Sequence, residues 1–143
     1  MSKQRPDTPQ SPDNQKDEDA VAFAQGLFEL ARNGAAGMLV PLLGAGVPVN
    51  LRTSEGETLL LLATANNHPK TVQMLLDQGA NPDLADHQGQ TPLMIAAAQD
   101  LADLITALLA AGADPALSDT RGATALDHAR AAGAENAVAR LTG

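Results

Sequence analysis

Apolar and polar positions recur every 33 residues along most of the chain, with no insertion or deletion between units. Each period holds two short stretches in which apolar residues lie three or four positions apart, which is the spacing of one helical face. This pattern predicts repeated units of two short helices that stack on one another. The positions that recur most clearly are Leu60, Leu93 and Leu126; Ala63, Ala96 and Ala129; Leu39, Val72, Ile105 and Val138; and Leu42, Leu75, Leu108 and Leu141.

Polar residues between the apolar stretches indicate where these helices begin and end. A threonine that can cap the free N–H groups precedes the first helix of the second, third and fourth units, and Pro92 follows at a first helical position, where its missing N–H is no loss. Gly79 and Gly112 follow the second helix, where a left-handed residue favours glycine. Each unit is therefore predicted to be a helix, a tight turn, a second helix and an extended loop. The capping threonines are Thr58, Thr91 and Thr124.

The repeats divide the chain into a tail and one repeat domain. Residues 20–143 form four predicted units, at about 20–52, 53–85, 86–118 and 119–143. Residues 1–19 contain three prolines and five acids, and after Met1 they contain no apolar residue. Because such a segment cannot bury enough surface to offset its ordering entropy, we expect a disordered acidic tail, which is either inert or serves as a tether or short binding motif.

The two end units are expected to be caps. An inner unit has neighbours on both sides, whereas an end unit needs a polar outer face. One position of the period reads Glu29, Leu62, Ile95 and His128, so it is polar only in the end units. This pattern predicts a complete short solenoid, with His128 on the outward face of the last unit.

Composition supports helices and excludes several classes of function. The chain of 143 residues has many alanines and leucines, two phenylalanines, no tryptophan, no tyrosine and no cysteine. Few aromatic and β-branched residues argue against a β-sandwich or barrel, and the lack of cysteine excludes thiolate zinc sites and cysteine nucleophiles. A net charge of −8 disfavours binding to nucleic acid or to an anionic membrane. With no secretory signal and no long apolar run, we expect a cytoplasmic protein.

The third unit carries an ordered set of residues that identifies a family. The order is D-H-Q-G-Q-T-P-L-M-I-A-A over residues 86–97, a leucine pair at 108–109 and G-A-D at 112–114. In this order the chain resembles the ankyrin-repeat family over residues 20–143. The resemblance implies an all-α ankyrin-repeat solenoid of helix-turn-helix units joined by β-turn or hairpin-like loops. The second and fourth units depart from the pattern at Leu59 and Ala125, which replace the proline.

Histidines and acids do not form a recognisable reaction centre in the sequence. His68 lies at the inter-helix turn, where the family commonly has a histidine, and is expected to bond backbone; no two histidines have the spacing of metal ligands. We therefore predict no enzyme activity, no catalytic residue, no metal and no cofactor. Two alternatives stay open: an enzyme accessory or cryptic hydrolase that uses His87 with neighbouring acids, and a purely structural repeat domain that self-associates.

The resemblance also implies a function, which is binding to another protein through the concave surface of loop tips and first helices. We expect a monomer whose partner the sequence does not identify. Because the surface lacks tryptophan, tyrosine and clustered arginine, either the affinity is moderate or the partner supplies the aromatic anchors. The candidate partner-binding residues are Ser54, Glu55, Glu57, Ala65, Asn66, His87, Gln88, Gln90, Gln99, Asp100, Thr120, Arg121 and Ala123.

Overall fold

A computed structural model of the protein describes residues 12–143, with side chains described from residue 18 onward. This part of the chain forms eight α-helices in four consecutive pairs, so the predicted all-α solenoid is confirmed. The first helices of the pairs pack on one another in one layer and the second helices in a second layer. The helices are α1 (Pro12–Arg32), α2 (Ala36–Gly44), α3 (Leu59–Ala65), α4 (Pro69–Asp77), α5 (Pro92–Ala98), α6 (Ala102–Ala110), α7 (Ala125–Ala132) and α8 (Glu135–Thr142).

The predicted threonine caps are confirmed. Thr58 Oγ1 accepts a hydrogen bond from the backbone N–H of Leu61 at 3.1 Å, and Thr91 Oγ1 accepts one from Met94 at 3.3 Å. At the start of α7, Thr124 and Asp127 cap each other's backbone N–H groups reciprocally. These bonds satisfy donors that a helix cannot satisfy internally, so each first helix has a fixed starting point.

The loops between units are held by one repeated side-chain acceptor. Asp86 Oδ1 accepts from the N–H groups of Gln88 and Gln90, at 2.9 and 3.0 Å. Asp119 Oδ1 does the same for Arg121 and Ala123 one unit later, at 2.9 and 3.0 Å. In the second unit a threonine, Thr53, takes this position and bonds the N–H groups of Glu55 and Glu57. Each loop tip is therefore a turn of defined shape.

Backbone and side-chain bonds also join successive units. The N–H of His87 donates to Glu55 O at 3.0 Å, and the N–H of Thr120 donates to Gln88 O at 3.1 Å, so neighbouring loop tips are tied together. His68 bonds backbone as predicted, through Nε2 to Arg32 O at 2.7 Å, but this oxygen belongs to the preceding unit. The stack is thus linked at both the loop tips and the inter-helix turns.

The first helix is longer than the sequence predicts. It begins at Pro12 and so includes residues 12–19, which the prediction assigns to the disordered tail. Proline suits the first turn of a helix, and the residues that follow include glutamine, lysine and glutamate, which are good helix formers. Residues 1–11 lie outside the described residues, and disorder there stays a prediction.

The ends of the stack are not both polar. Glu29 and His128, which indicated polar outer faces, lie on the side of the loop tips instead, where Glu29 pairs with Arg32 at 3.6 Å. Exposed apolar side chains cover the N-terminal end, with Phe23 51% and Met38 61% exposed. The position shared by Glu29 and His128 faces the side of the loop tips and not the end of the stack. Its polarity therefore gives no information about the outer faces.

Candidate functional site

Loop tips and first helices line three grooves on one side of the stack, which we call the concave surface. The first groove, of about 550 Å³, lies between α1 and the loop at residues 52–55. The central groove, of about 350 Å³, lies over α5 between Glu57 and His128. The third groove, of about 540 Å³, lies between the last two loop tips and α7. The central and third grooves share Gln90 and His128, so they are continuous.

The first groove combines an apolar wall with paired charges. Val21 and Phe28 of α1 contribute the apolar side, and the ion pair of Glu29 with Arg32 lies beside them. Arg52 lines the opposite wall and donates from Nη2 to the backbone oxygen of Ala85 at 2.7 Å, which holds it in place across the unit boundary. The groove can therefore accept an apolar side chain flanked by polar groups.

The central groove has an apolar lining with acidic residues beside it. Met94 and Ile95 contribute apolar surface together with two exposed alanines of α3 and α5, and Glu57 and Asp86 contribute carboxylates. Such a combination suits a long side chain with an aliphatic stem and a cationic end, which buries the stem and leaves the charge near the acids.

The third groove contains a histidine–carboxylate pair. His128 Nε2 lies 2.8 Å from Asp119 Oδ2, and the Asp119 side chain is only 6% exposed. His128 was expected on the outward face, and this is wrong because the neighbouring loop carboxylate faces α7 and bonds its ring. The backbone N–H of Ala123 lowers the pKa of Asp119 most, and the bond from His128 lowers this pKa further. Among residues 18–143, whose side chains the structure describes, no group of three or more histidines and acids is placed to hold a metal ion.

The lowered pKa of Asp119 predicts a pH-dependent stabilisation. A carboxyl group whose pKa is lower in the folded than in the unfolded chain stabilises the fold above its ordinary value of 3.8, and this contribution is lost as the pH falls through the folded value. Asp119→Asn should therefore lower the urea midpoint at neutral pH, and the difference from the wild type should shrink as the pH falls towards about 3. A difference that stays constant with pH would contradict this account.

Comparison with known proteins gives the family. A family description, "Ankyrin repeats (3 copies)", matches residues 27–119. The chain belongs to the ankyrin-repeat family. Ankyrin repeats are in general protein-interaction modules. A Pseudomonas aeruginosa protein named as an ankyrin repeat protein is 42% identical over 64 residues, which are 45% of this chain and 37% of that protein. The match thus spans little more than a third of that relative.

Most of the candidate residues of this ankyrin-repeat protein line the three grooves. Their placement follows from the stacking, which brings equivalent positions of successive units next to one another. Ser54 and Glu55 line the first groove; Glu57, Ala65, Gln90 and Gln99 line the central groove; and Gln88, Gln90, Thr120, Arg121 and Ala123 line the third.

Three candidates do not line these grooves. Asn66 caps α3 and donates from Nδ2 to Leu62 O at 2.8 Å. Asp100 belongs to the turn between α5 and α6, and its carboxylate accepts from the N–H of Ala137 at 2.8 Å, which links this turn to α8. His87 is exposed at its loop tip, outside the grooves. Asp100 bonds backbone because the N–H of Ala137 lies in the first turn of α8, where N–H groups lack helical acceptors.

Several groove residues were not among the sequence candidates. They include Val21 and Phe28 of α1, and Ile95 and His128, which lie four residues after the capping threonines. Helical spacing could have identified Ile95, because Ile95 and Ala98 are three residues apart on one face of α5. His128 occupies the equivalent position of α7. Nothing comparable was available for α1, which lacks the capping threonine and the loop glycine of the later units.

The second layer of helices lies away from the concave surface. On the exposed side of α4, Gln73 Nε2 donates to Asp77 Oδ1 at 2.9 Å within the helix. None of the helices in residues 12–143 is long and apolar enough to cross a membrane.

Proposed function

We propose that this chain is a non-catalytic interaction module that binds a partner protein through the concave surface. The observation that carries the proposal is the row of three grooves, which runs from α1 to α7 and contains exposed polar side chains together with apolar ones. A single partner segment that follows the row could contact all four units. Its cytoplasmic location stays a prediction.

Rigidity of the loop tips supports this function. Each tip is fixed by the side-chain acceptor at its start, Thr53, Asp86 or Asp119, and by backbone bonds to the neighbouring tip. A surface that is already ordered loses little conformational entropy on binding, so more of the contact energy is retained as affinity. The solenoid would act by presenting this surface, either to recruit a partner or to mask it.

The chemistry of the central groove indicates the kind of partner. Its apolar lining and the carboxylates of Glu57 and Asp86 favour a segment that inserts a lysine, an arginine or an aromatic side chain. Glu55 at the neighbouring tip adds a further negative charge. We therefore propose a basic partner segment, whose association rate should fall as the salt concentration rises.

Positive charges introduced at two loop tips should abolish binding of the partner protein. In affinity capture from a lysate of the source organism, the double variant Glu55→Lys with Gln88→Lys should lose the protein that the wild type retains. Both side chains are exposed, so the melting temperature should not change. The physical reason is that two cations would then face the basic partner segment across the first and third grooves.

A matched control separates the concave surface from general charge. Asp77→Lys with Gln78→Lys makes the same change of charge at the end of α4, outside the grooves, and should leave capture unchanged. Capture that survives in the loop-tip variant, or that is lost equally in the α4 variant, would show that the partner does not bind this surface.

A further inference from the structure

The central groove of the concave surface is apolar and carries negative charge. Met94 and Ile95 contribute its apolar lining and Glu57 and Asp86 its carboxylates, and the described residues that line it include no lysine or arginine. Within residues 18–143, neither of these acids forms a salt bridge. Such a groove is complementary to a side chain with an aliphatic stem and a cationic end.

Asp86 uses only one of its two carboxylate oxygens to hold the loop tip. Oδ1 accepts from the N–H groups of Gln88 and Gln90, at 2.9 and 3.0 Å. Oδ2 accepts no hydrogen bond from residues 18–143, whose side chains the structure describes. Because Asp86 lines the central groove, a carboxylate acceptor is left there for a ligand.

The last unit shows which kind of group binds an oxygen in this position. Asp119 is equivalent to Asp86, and its Oδ1 accepts from the N–H groups two and four residues later at the same distances, 2.9 and 3.0 Å. Its Oδ2 lies 2.8 Å from His128 Nε2. Since an ionised carboxylate only accepts, the nitrogen is the donor. The last unit therefore fills this position with a side-chain nitrogen of its own.

The third unit leaves the equivalent position open. Ile95 stands where the last unit has His128, and its side chain has no group that could donate to Asp86. The second unit has no acid there, because Thr53 replaces the aspartate. Of the loop tips at Thr53, Asp86 and Asp119, only the middle one thus combines a carboxylate with an open Oδ2. A single open acceptor would fix the register of a bound segment.

We propose that the partner segment inserts one lysine or arginine side chain into the central groove, where its nitrogen donates to Asp86 Oδ2. This cation anchor rests on the proposed function and narrows it, because an aromatic side chain would leave the charges of Glu57 and Asp86 uncompensated. The aliphatic stem covers Met94 and Ile95. Its nitrogen takes the place that the imidazole of the last unit takes against the equivalent aspartate.

Selection from a displayed library of random peptides tests the anchor on the immobilised full chain. The peptides have about twelve residues, which is enough extended chain to cross four units about 10 Å apart. Those enriched by the wild type should share one lysine or arginine at an aligned position. In a synthetic enriched peptide, norleucine at that position keeps an aliphatic stem without the charge. The substitution should weaken binding about tenfold, because a charge-assisted hydrogen bond is lost.

Two variants that keep the loop tip test the role of Asp86. Asp86→Asn retains an acceptor oxygen for the two N–H groups of the tip but replaces Oδ2 with an amide that donates. Ile95→His supplies the imidazole that the last unit already has. Both should enrich peptides without the shared cation, and circular dichroism should show that both are folded. Asp77→Asn removes one charge from α4, outside the grooves, and should enrich the same peptides as the wild type.

The reverse exchange should create a second cation anchor. His128→Ile gives the last unit the combination of aspartate and isoleucine that the third unit has, and it removes the donor from Asp119 Oδ2. Neighbouring helices lie about 10 Å apart, and an extended chain advances about 3.3 Å per residue. Peptides enriched by this variant should therefore carry a second lysine or arginine about three residues from the first.

The outcomes separate the cation anchor from the proposed function. Enriched peptides without a shared lysine or arginine, or the same cationic peptides enriched by Asp86→Asn, would overturn the anchor. If such peptides were still lost with Glu55→Lys and Gln88→Lys, the concave surface would remain the partner site. A wild type that enriches no peptide would contradict both the anchor and the binding of a partner segment.

Discussion

Leu108→Ala should lower the free energy of unfolding by about 2–5 kcal/mol, and Leu75→Ala should have an effect of the same size. These leucines are equivalent positions of α6 and α4, each 0% exposed. Truncating either one removes apolar contacts and leaves a cavity, because two short helices stacked on neighbours cannot close the gap fully. Urea unfolding followed by far-ultraviolet circular dichroism measures the loss.

The neighbouring leucine of the same helix provides the control. Leu109 is only partly buried, so Leu109→Ala removes the same atoms from a site that water already reaches, and should cost clearly less. If the losses at Leu75 and Leu108 were both below about 0.5 kcal/mol, these leucines would not be packed as described. Because each unit of a solenoid is stabilised by its neighbours, a large loss of stability at one interface should also broaden the urea unfolding transition.

Gly89→Ala should be strongly destabilising, by about 2–5 kcal/mol. Two causes add together at this loop tip. The backbone has a φ of +78°, which favours glycine, and an added Cβ would lie 2.9 Å from both Asp119 Cα and the backbone nitrogen of Thr120. These atoms belong to the next loop tip, so the methyl group would push apart the two tips that the bond from Thr120 to Gln88 joins.

The equivalent glycine of the last unit separates the two causes. Gly122 has nearly the same φ, +83°, but an added Cβ would meet nothing within 4 Å. Gly122→Ala should therefore cost only the backbone strain, about 1–2 kcal/mol. Thermal unfolding of both variants measures the difference. Equal losses would indicate that the contact between neighbouring tips contributes nothing to stability.

Local features of this ankyrin-repeat protein were predictable because they depend on residues close in sequence. The threonine caps at Thr58, Thr91 and Thr124 bond N–H groups three residues away, and Gly79 and Gly112 adopt positive φ just after a helix. Such signals are complete within one unit. The same reasoning located the loop tips, and most residues predicted there do line the grooves.

The N-terminal unit was predicted least well, because it departs from the repeated pattern. Residues 12–28 lack the capping threonine and the loop glycine that mark the start of the later helix pairs, and they do not show which side of α1 faces the neighbouring unit. The polar residue Glu29 suggested a polar outer face, yet it lines the first groove. The exposed apolar side chains of the N-terminal end, such as Phe23 and Met38, became visible only in the tertiary structure.

The sequence by itself determined the period, the helix pairs, their caps and the family, because each of these depends on short-range spacing that repeats. Tertiary structure decided which positions face the concave surface, that His128 bonds Asp119, and that the two ends of the stack differ. These features depend on how one unit is rotated against the next, and that rotation is fixed by contacts between residues more than 30 positions apart, such as the bonds of His68 to Arg32 and of Thr120 to Gln88.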